Sequence, residues 1–190
     1  MRNILLVISG PSGVGKGTIV ERLLKCKDEF ELSVSCTTRA PREGEIDGKS
    51  YFFLSRESFE EKIKRGEFLE YDQHFEHYYG TPRSFVEEKL KTSSVLLEID
   101  VVGALNVKKS YPDAVLVMLA PPSREDLIAR LRGRGAEDES KIEIRLARAE
   151  FELSKCGKFD YIVVNDKLEE TERRLKEIIA KEKNRDQERR

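Results

Sequence analysis

Gly10-Pro11-Ser12-Gly13-Val14-Gly15-Lys16-Gly17-Thr18 follows, after Ser9, an apolar run, Ile4–Ile8, and leads into an amphipathic stretch, Ile19–Leu24. A buried strand, a glycine-rich turn and a helix start form the setting of a phosphate-binding loop. Gly10, Gly13 and Gly15 let successive backbone N–H groups turn inward around an anion. Lys16 adds a point charge for the outer phosphates, and Thr18 adds a hydroxyl at the helix N-terminus. Gly17 stands in the slot that usually carries that hydroxyl, which displaces it from the position where it would ligate a metal. The competing reading is an ordinary glycine-rich turn between a strand and a helix.

Moving outward from this loop, further strand candidates are apolar on both faces: Val95–Ile99, Ala114–Leu119 and Tyr161–Val164. Helical patterns separate them. The alternation predicts an α/β fold, a parallel sheet covered by helices on both sides. Two regions break it. Residues 33–85 alternate polar and apolar side chains around a turn-rich Ala40–Gly48, which predicts a small, mainly β insertion. Inside it, Ser58 and Glu61 match a capping box and Gly66 a helix end, predicting a short helix over about 59–65. Residues 126–157 predict two helices broken at Gly133-Arg134-Gly135 and rich in arginine: Arg130, Arg132, Arg134, Arg145 and Arg148. The nearly all-charged tail from Lys181 reads as a fraying helix end.

The chain has 190 residues, which fits one domain with inserted subdomains. A net charge of -1 gives no general affinity for nucleic acid or membrane surfaces. No apolar run approaches the roughly 18 residues of a spanning helix. Cys26, Cys36 and Cys156 have no metal or redox spacing, so the expectation is a reduced, cytoplasmic setting.

A second anion site is legible inside the insertion. Arg39 and Arg42 flank Pro41, and two forked guanidinium groups on a proline-stiffened segment suit a dianion. Tyr51 and Tyr79 can donate hydroxyls to the same group. Two solvated loop arginines are the plain alternative.

Taken together, these motifs resemble those of the guanylate kinase family. The resemblance rests on Ser9–Thr18, Ser33–Glu45, Tyr78–Pro82, Leu97–Val101, Ala120–Ser123, Gly133–Gly135 and Val163–Asp166, in order along nearly the whole chain. Within it, Thr37-Thr38-Arg39-Ala40-Pro41-Arg42-Glu43-Gly44-Glu45 is more specific than the phosphate loop. The resemblance implies transfer of the γ-phosphate of ATP to GMP, and to dGMP, with magnesium, on a P-loop nucleoside-monophosphate kinase core. It divides the chain into a core (about 1–32, 86–125 and 158–190), a GMP-binding insertion (about 33–85) and a lid (about 126–157).

Residue by residue, the resemblance implies that the loop 10–18 binds ATP, with Asn165 and Asp166 near its adenine. Ser35, Arg39, Arg42, Tyr51 and Tyr79 match residues that hold the GMP phosphate; Glu70, Thr81 and Asp100 match those that read guanine. Glu98, two residues before Asp100, is grouped with the GMP-binding residues and is expected to share a strand face with Asp100 near the loop, where it can orient magnesium waters or Lys16. The metal is expected to be held mainly through nucleotide and water, with Thr18 and Glu98 the candidate protein groups. Arg134 and Arg145 match lid arginines and, with Lys16 and Arg39, are the catalytic candidates. Guanine presents N1–H and N2–H₂ side by side, so one carboxylate accepts from both, whereas adenine offers a bare acceptor there. Glu70 also has a plain alternative as a solvated side chain, and Thr81, before Pro82, as a helix N-cap.

Two positions depart from the family pattern, Val102 for Gln and His77 for Asn. His74 and His77 are read as exposed loop histidines. The competing functions are a non-catalytic interaction module of the same fold, for which a degraded loop is expected, and a kinase for another phosphorylated small molecule.

Overall fold

The computed structural model describes residues 2–25, 30–74, 76–133 and 139–185. Strand β1 (Leu5–Ser9) is the hub of a five-stranded sheet. It pairs in parallel with β7 (Ser94–Glu98) on one side and β8 (Val115–Ala120) on the other. Outside these lie β2 (Phe30–Leu32) and β9 (Tyr161–Val164), also parallel, giving the order β2-β7-β1-β8-β9. The predicted strands appear within about one residue of their expected ends.

Successive side chains of a strand point to opposite faces, and here each face finds its own helices. Ile4, Leu6 and Ile8 pack with Ile19, Val20 and Leu23 of α1 (Lys16–Lys25) and with Leu175, Ile178 and Ile179 of α7 (Leu168–Asn184). Leu5 and Val7 pack with Val86 of α3 (Arg83–Lys89) and with Ala104 and Val107 of α4 (Val101–Ser110). A strand buried on both faces is what a continuous apolar run encodes.

A second sheet lies within residues 33–85. Its order is β4-β3-β6-β5, from Phe52–Phe53, Cys36–Thr37, His77–Pro82 and Phe68–His74. Helix α2 (Arg56–Lys64) closes it, with Phe59 stacked on Phe68 at 4.3 Å between ring centroids. This helix starts three residues earlier than expected: the cap is Ser55, whose hydroxyl accepts from the Ser58 N–H at 3.1 Å. Gly66, at φ +67°, ends it as predicted.

Helices α5 (Arg124–Arg132) and α6 (Glu139–Leu153) share a small core of Leu127, Leu131, Ile142, Leu146 and Ala149. Ser123 caps α5, accepting from the Asp126 N–H at 3.0 Å. The break at Gly133 is present, but Arg134 and Gly135 lie outside the described residues. Among the described residues no helix is long and apolar enough to cross a membrane.

Candidate active site

A parallel sheet opens a crevice where connections leave the carboxyl ends of neighbouring strands to opposite sides. The carboxyl ends of β1 and β7 lie side by side, with Ile8 opposite Glu98. There a cavity of about 620 Å³ opens between the core sheet, the second sheet and α6.

The phosphate loop forms one wall through Gly10, Pro11, Ser12, Gly13, Gly15, Lys16 and Gly17. Two glycines are dictated by close approach as well as by backbone. Gly10 has φ +148°, and a Cβ there would overlap the Leu119 carbonyl; Gly15 has φ +97°, with Asn165 Nδ2 only 2.7 Å from an added Cβ. Lys16 folds over its own loop, its Nζ donating to the Gly10 carbonyl at 2.6 Å.

Four expected ATP-site residues fall elsewhere. Val14 has its side chain in the core and its N–H on the Pro11 carbonyl at 3.2 Å, so it offers neither to the cavity. Asn165 is buried behind the loop: its Nδ2 donates to the Val14 carbonyl at 2.8 Å, and its Oδ1 accepts from Thr171 Oγ1 at 3.0 Å. It braces the loop rather than lining the cavity. Thr18 and Asp166 are exposed and outside the cavity wall.

The second sheet supplies the opposite wall with Ser35, Arg39, Arg42, Tyr51, Glu70, His77 and Tyr79. Arg39 is largely covered, with its guanidinium 5.5 Å from the centre of the Tyr51 ring. Glu45 holds it, accepting from Nη2 at 2.8 Å, and the other Glu45 oxygen accepts from the Arg42 N–H at 2.7 Å. One carboxylate thus fixes both the second-anion arginine and the backbone of the next. Burial, with Tyr79 beside it, raises the Tyr51 hydroxyl above its ordinary pKa and keeps it a donor. His77 is half-buried on β6, not in a loop, because the β5–β6 hairpin pairs His74 with His77 across its end.

Glu70 is only 7 % exposed. Burial pushes its carboxyl up to about 7, against a hydrogen bond from Thr81 and with the nearby Asp100 adding to the rise. Thr81 Oγ1 donates to Glu70 Oε1 at 2.7 Å, both groups lying within the protein. Thr81 is therefore a strand residue of β6 rather than a helix cap; Pro82 holds the N-cap position of α3 without a side-chain bond.

Glu98 and Asp100 both line the cavity, but not from one strand face. The strand ends at Glu98, and Asp100 turns the chain into α4, its Oδ1 accepting from the Val102 and Gly103 N–H groups at 2.7 and 3.1 Å. Glu98 stands against the loop: a Cβ at Gly17 would sit 3.7 Å from its Oε1.

Helix α6 completes the enclosure with Arg145, Arg148 and Glu152, spaced to share a helix face. Glu152 is buried and accepts from Arg148 Nε at 3.1 Å; burial raises its carboxyl pKa, while Arg148 and then Lys16 oppose the rise.

Two basic sites thus face one cavity that also holds a buried carboxylate. The guanylate kinase family model matches residues 2–182. The chain belongs to the guanylate kinase family. It is 47% identical over 184 residues to the guanylate kinase of Clostridioides difficile, covering 96% of this chain and 90% of that protein. It is 50% identical over 183 residues to the guanylate kinase of Streptococcus thermophilus, covering 95% and 88%. The crystal structure of guanylate kinase from Anaplasma phagocytophilum superposes with a TM-score of 0.78 at 35% identity, over 96% of this chain and 87% of that one.

Within this guanylate kinase fold, Arg148 and Glu152 line the cavity, and Glu45 and Arg130 brace residues around it, placements not assigned from the sequence. Arg130 donates to the Asn165 carbonyl at 2.9 Å from behind the loop. Arg148 and Glu152 were legible in principle, since they follow Arg145 at helical spacing.

Proposed function

We infer that this chain transfers the γ-phosphate of ATP to GMP, giving ADP and GDP, and accepts dGMP in the same site. The observation that carries the reading is the pairing of an intact phosphate loop with the Arg39–Glu45–Tyr51 cluster across one cavity that also holds buried Glu70. An interaction module has no use for Lys16 in such a loop, and a kinase for a different small phosphorylated acceptor has no use for a buried carboxylate beside Thr81.

Phosphoryl transfer between nucleotides needs little covalent chemistry from the protein. The acceptor is a phosphate oxygen already ionised near neutrality, its second pKa being about 6. No general base is needed; alignment and charge neutralisation do the work. In this reading Lys16 and the loop amides hold the outer phosphates of ATP. Arg39 and Arg42, with Ser35, Tyr51 and Tyr79, hold the GMP phosphate. Glu70 accepts from the guanine N1–H and N2–H₂, and Thr81 orients it. Arg145, with Arg148 on the same helix, meets the migrating phosphoryl as the α5–α6 pair closes over it, excluding water.

A magnesium ion fits the donors present. No group of three or more His, Cys, Asp or Glu side chains among the described residues makes a protein cage. Glu98 stands beside the loop at Gly17. That suits a cation held through phosphate oxygens and waters, with one carboxylate orienting those waters. When bound, the ion neutralises charge on the polyphosphate. Thr18, exposed and outside the cavity wall, is the weaker of the two expected protein groups.

The test is a substrate profile at fixed ATP. GMP and dGMP should be phosphorylated efficiently, IMP poorly for want of the 2-amino group, and AMP hardly at all. Comparable rates with AMP would overturn the guanine assignment.

A further inference from the structure

Gly103 lies in the first turn of α4, buried. Its backbone needs no glycine, since its φ is not positive. Glycine weakens a helix relative to alanine, so the position asks for another cause. The cause is room. A Cβ on Gly103 would come 2.7 Å from Glu70 Oε2, 3.2 Å from Glu70 Cδ and 3.5 Å from Asp100 Oδ2. These are the three nearest atoms, and all belong to carboxyl groups. The Glu70 group cannot simply retreat, because its other oxygen is held by buried Thr81 at 2.7 Å. The Gly103 N–H meanwhile donates to Asp100 Oδ1, which keeps α4 against the site.

We propose that Gly103 is a specificity-determining position, whose missing side chain lets the Glu70 carboxylate lie in the plane needed to accept from a purine bearing a ring N–H beside an amino group. The inference rests on Glu70 being the base reader. Gly103 touches no substrate in this scheme and acts by positioning. An added methyl group tilts Oε2 away from α4, so one of two parallel hydrogen bonds to the base is lost or bent. The consequence falls on the acceptor nucleotide and leaves the ATP side untouched, because the three atoms nearest an added Cβ belong to Glu70 and Asp100 and none to the phosphate loop.

Four proteins test it: the wild type, G103A, E70A and the double variant, each measured for Michaelis constants of GMP, IMP and ATP and for denaturant midpoint. G103A should raise the GMP constant about tenfold or more, the loss expected for one hydrogen bond to a charged group, with the ATP constant within about twofold. Its preference for GMP over IMP should narrow, and its midpoint should fall. In the E70A background the same substitution should leave the GMP constant within about twofold and raise the midpoint, because alanine is the better helix former once the carboxyl is gone. An unchanged GMP constant in G103A overturns the proposal. So does a midpoint loss of equal size in both backgrounds, which would make Gly103 a packing residue of α4. A wild-type GMP constant in E70A would instead overturn Glu70 as base reader, an outcome separable from either of these.

Discussion

Replacing Glu70 with glutamine should make the substrate-free protein more stable while impairing its use of GMP. In the folded chain the Glu70 carboxyl is pushed up to about 7 by burial, from an ordinary value of 4.5. A raised pKa means the folded state favours the protonated form. Stability from this group is therefore fully present below about pH 4.5 and is lost as pH rises toward 7. At one pKa unit per 1.4 kcal/mol, the ionised carboxylate costs the fold about 3 kcal/mol by pH 8. Glutamine does not titrate; its carbonyl keeps the bond from Thr81, and its amide faces Asp100 as a donor. Urea unfolding of both proteins at pH 5 and pH 8 should show the glutamine variant's advantage growing by about 2–3 kcal/mol across that interval. In melting temperature this is a widening of roughly 5–10 °C for a chain of this size. The GMP Michaelis constant should rise, since the amide turns donors toward the donors of guanine, while that for ATP should change little. A stability difference that does not change with pH would refute the account of Glu70 as a buried, ionisable base reader.

Lys16→Ala should fold normally and lose roughly 10²–10³ in turnover, the usual effect of removing one preorganised donor from developing charge; steady-state rates near wild type would contradict it. Arg39→Lys keeps the charge but not the fork that Glu45 aligns, so both the GMP Michaelis constant and turnover should suffer, and unchanged kinetics would make Arg39 a decoration of the loop. Arg145→Ala should reduce turnover while nucleotide binding measured without catalysis and the melting temperature stay near wild type. Loss of ATP affinity alone would make Arg145 a simple binding residue. Asn165→Ala removes the brace on the Val14 carbonyl, so it should raise the ATP Michaelis constant more than that for GMP, and an equal shift in both would argue against a local role.

The core was legible because its signals are local and redundant. The run Ile4–Ile8 is apolar at every position, short and bounded by a glycine-rich turn, which favours a strand buried on both faces over a helix. Arg39 and Arg42 were legible through Pro41. What escaped the sequence depends on pairing between distant segments. Helical spacing from Arg145 separates Glu152 from Glu150 on α6, but what buries the first against Arg148 and leaves the second exposed is the packing of that face over the cavity. Glu45 closes the most specific motif of the sequence, but its role, bridging Arg39 and the Arg42 backbone with its two oxygens, depends on how the turn folds back. Asn165 sat in the right motif, but its amide serves a carbonyl 151 positions away. The start of α2 was misread because Ser58 and Glu61 match the capping-box pattern better than Ser55 and Ser58 do, while the fold uses the plainer cap.

The Arg2 N–H donates to the Lys183 carbonyl at 3.0 Å, and the Arg2 guanidinium lies 3.6 Å from Glu182. Since β1 runs from this point toward Gly10, the contact sits at the opposite end of the sheet from the phosphate loop. The start of the first strand and the last turn of α7 are thus stitched together away from the cavity. A short linker joining the two segments, with new ends opened at the exposed Lys91–Thr92 turn before β7, should yield a circularly permuted enzyme that keeps its catalytic constants. In such a protein the phosphate loop would come late in synthesis instead of early, separating the order of manufacture from the architecture of the site.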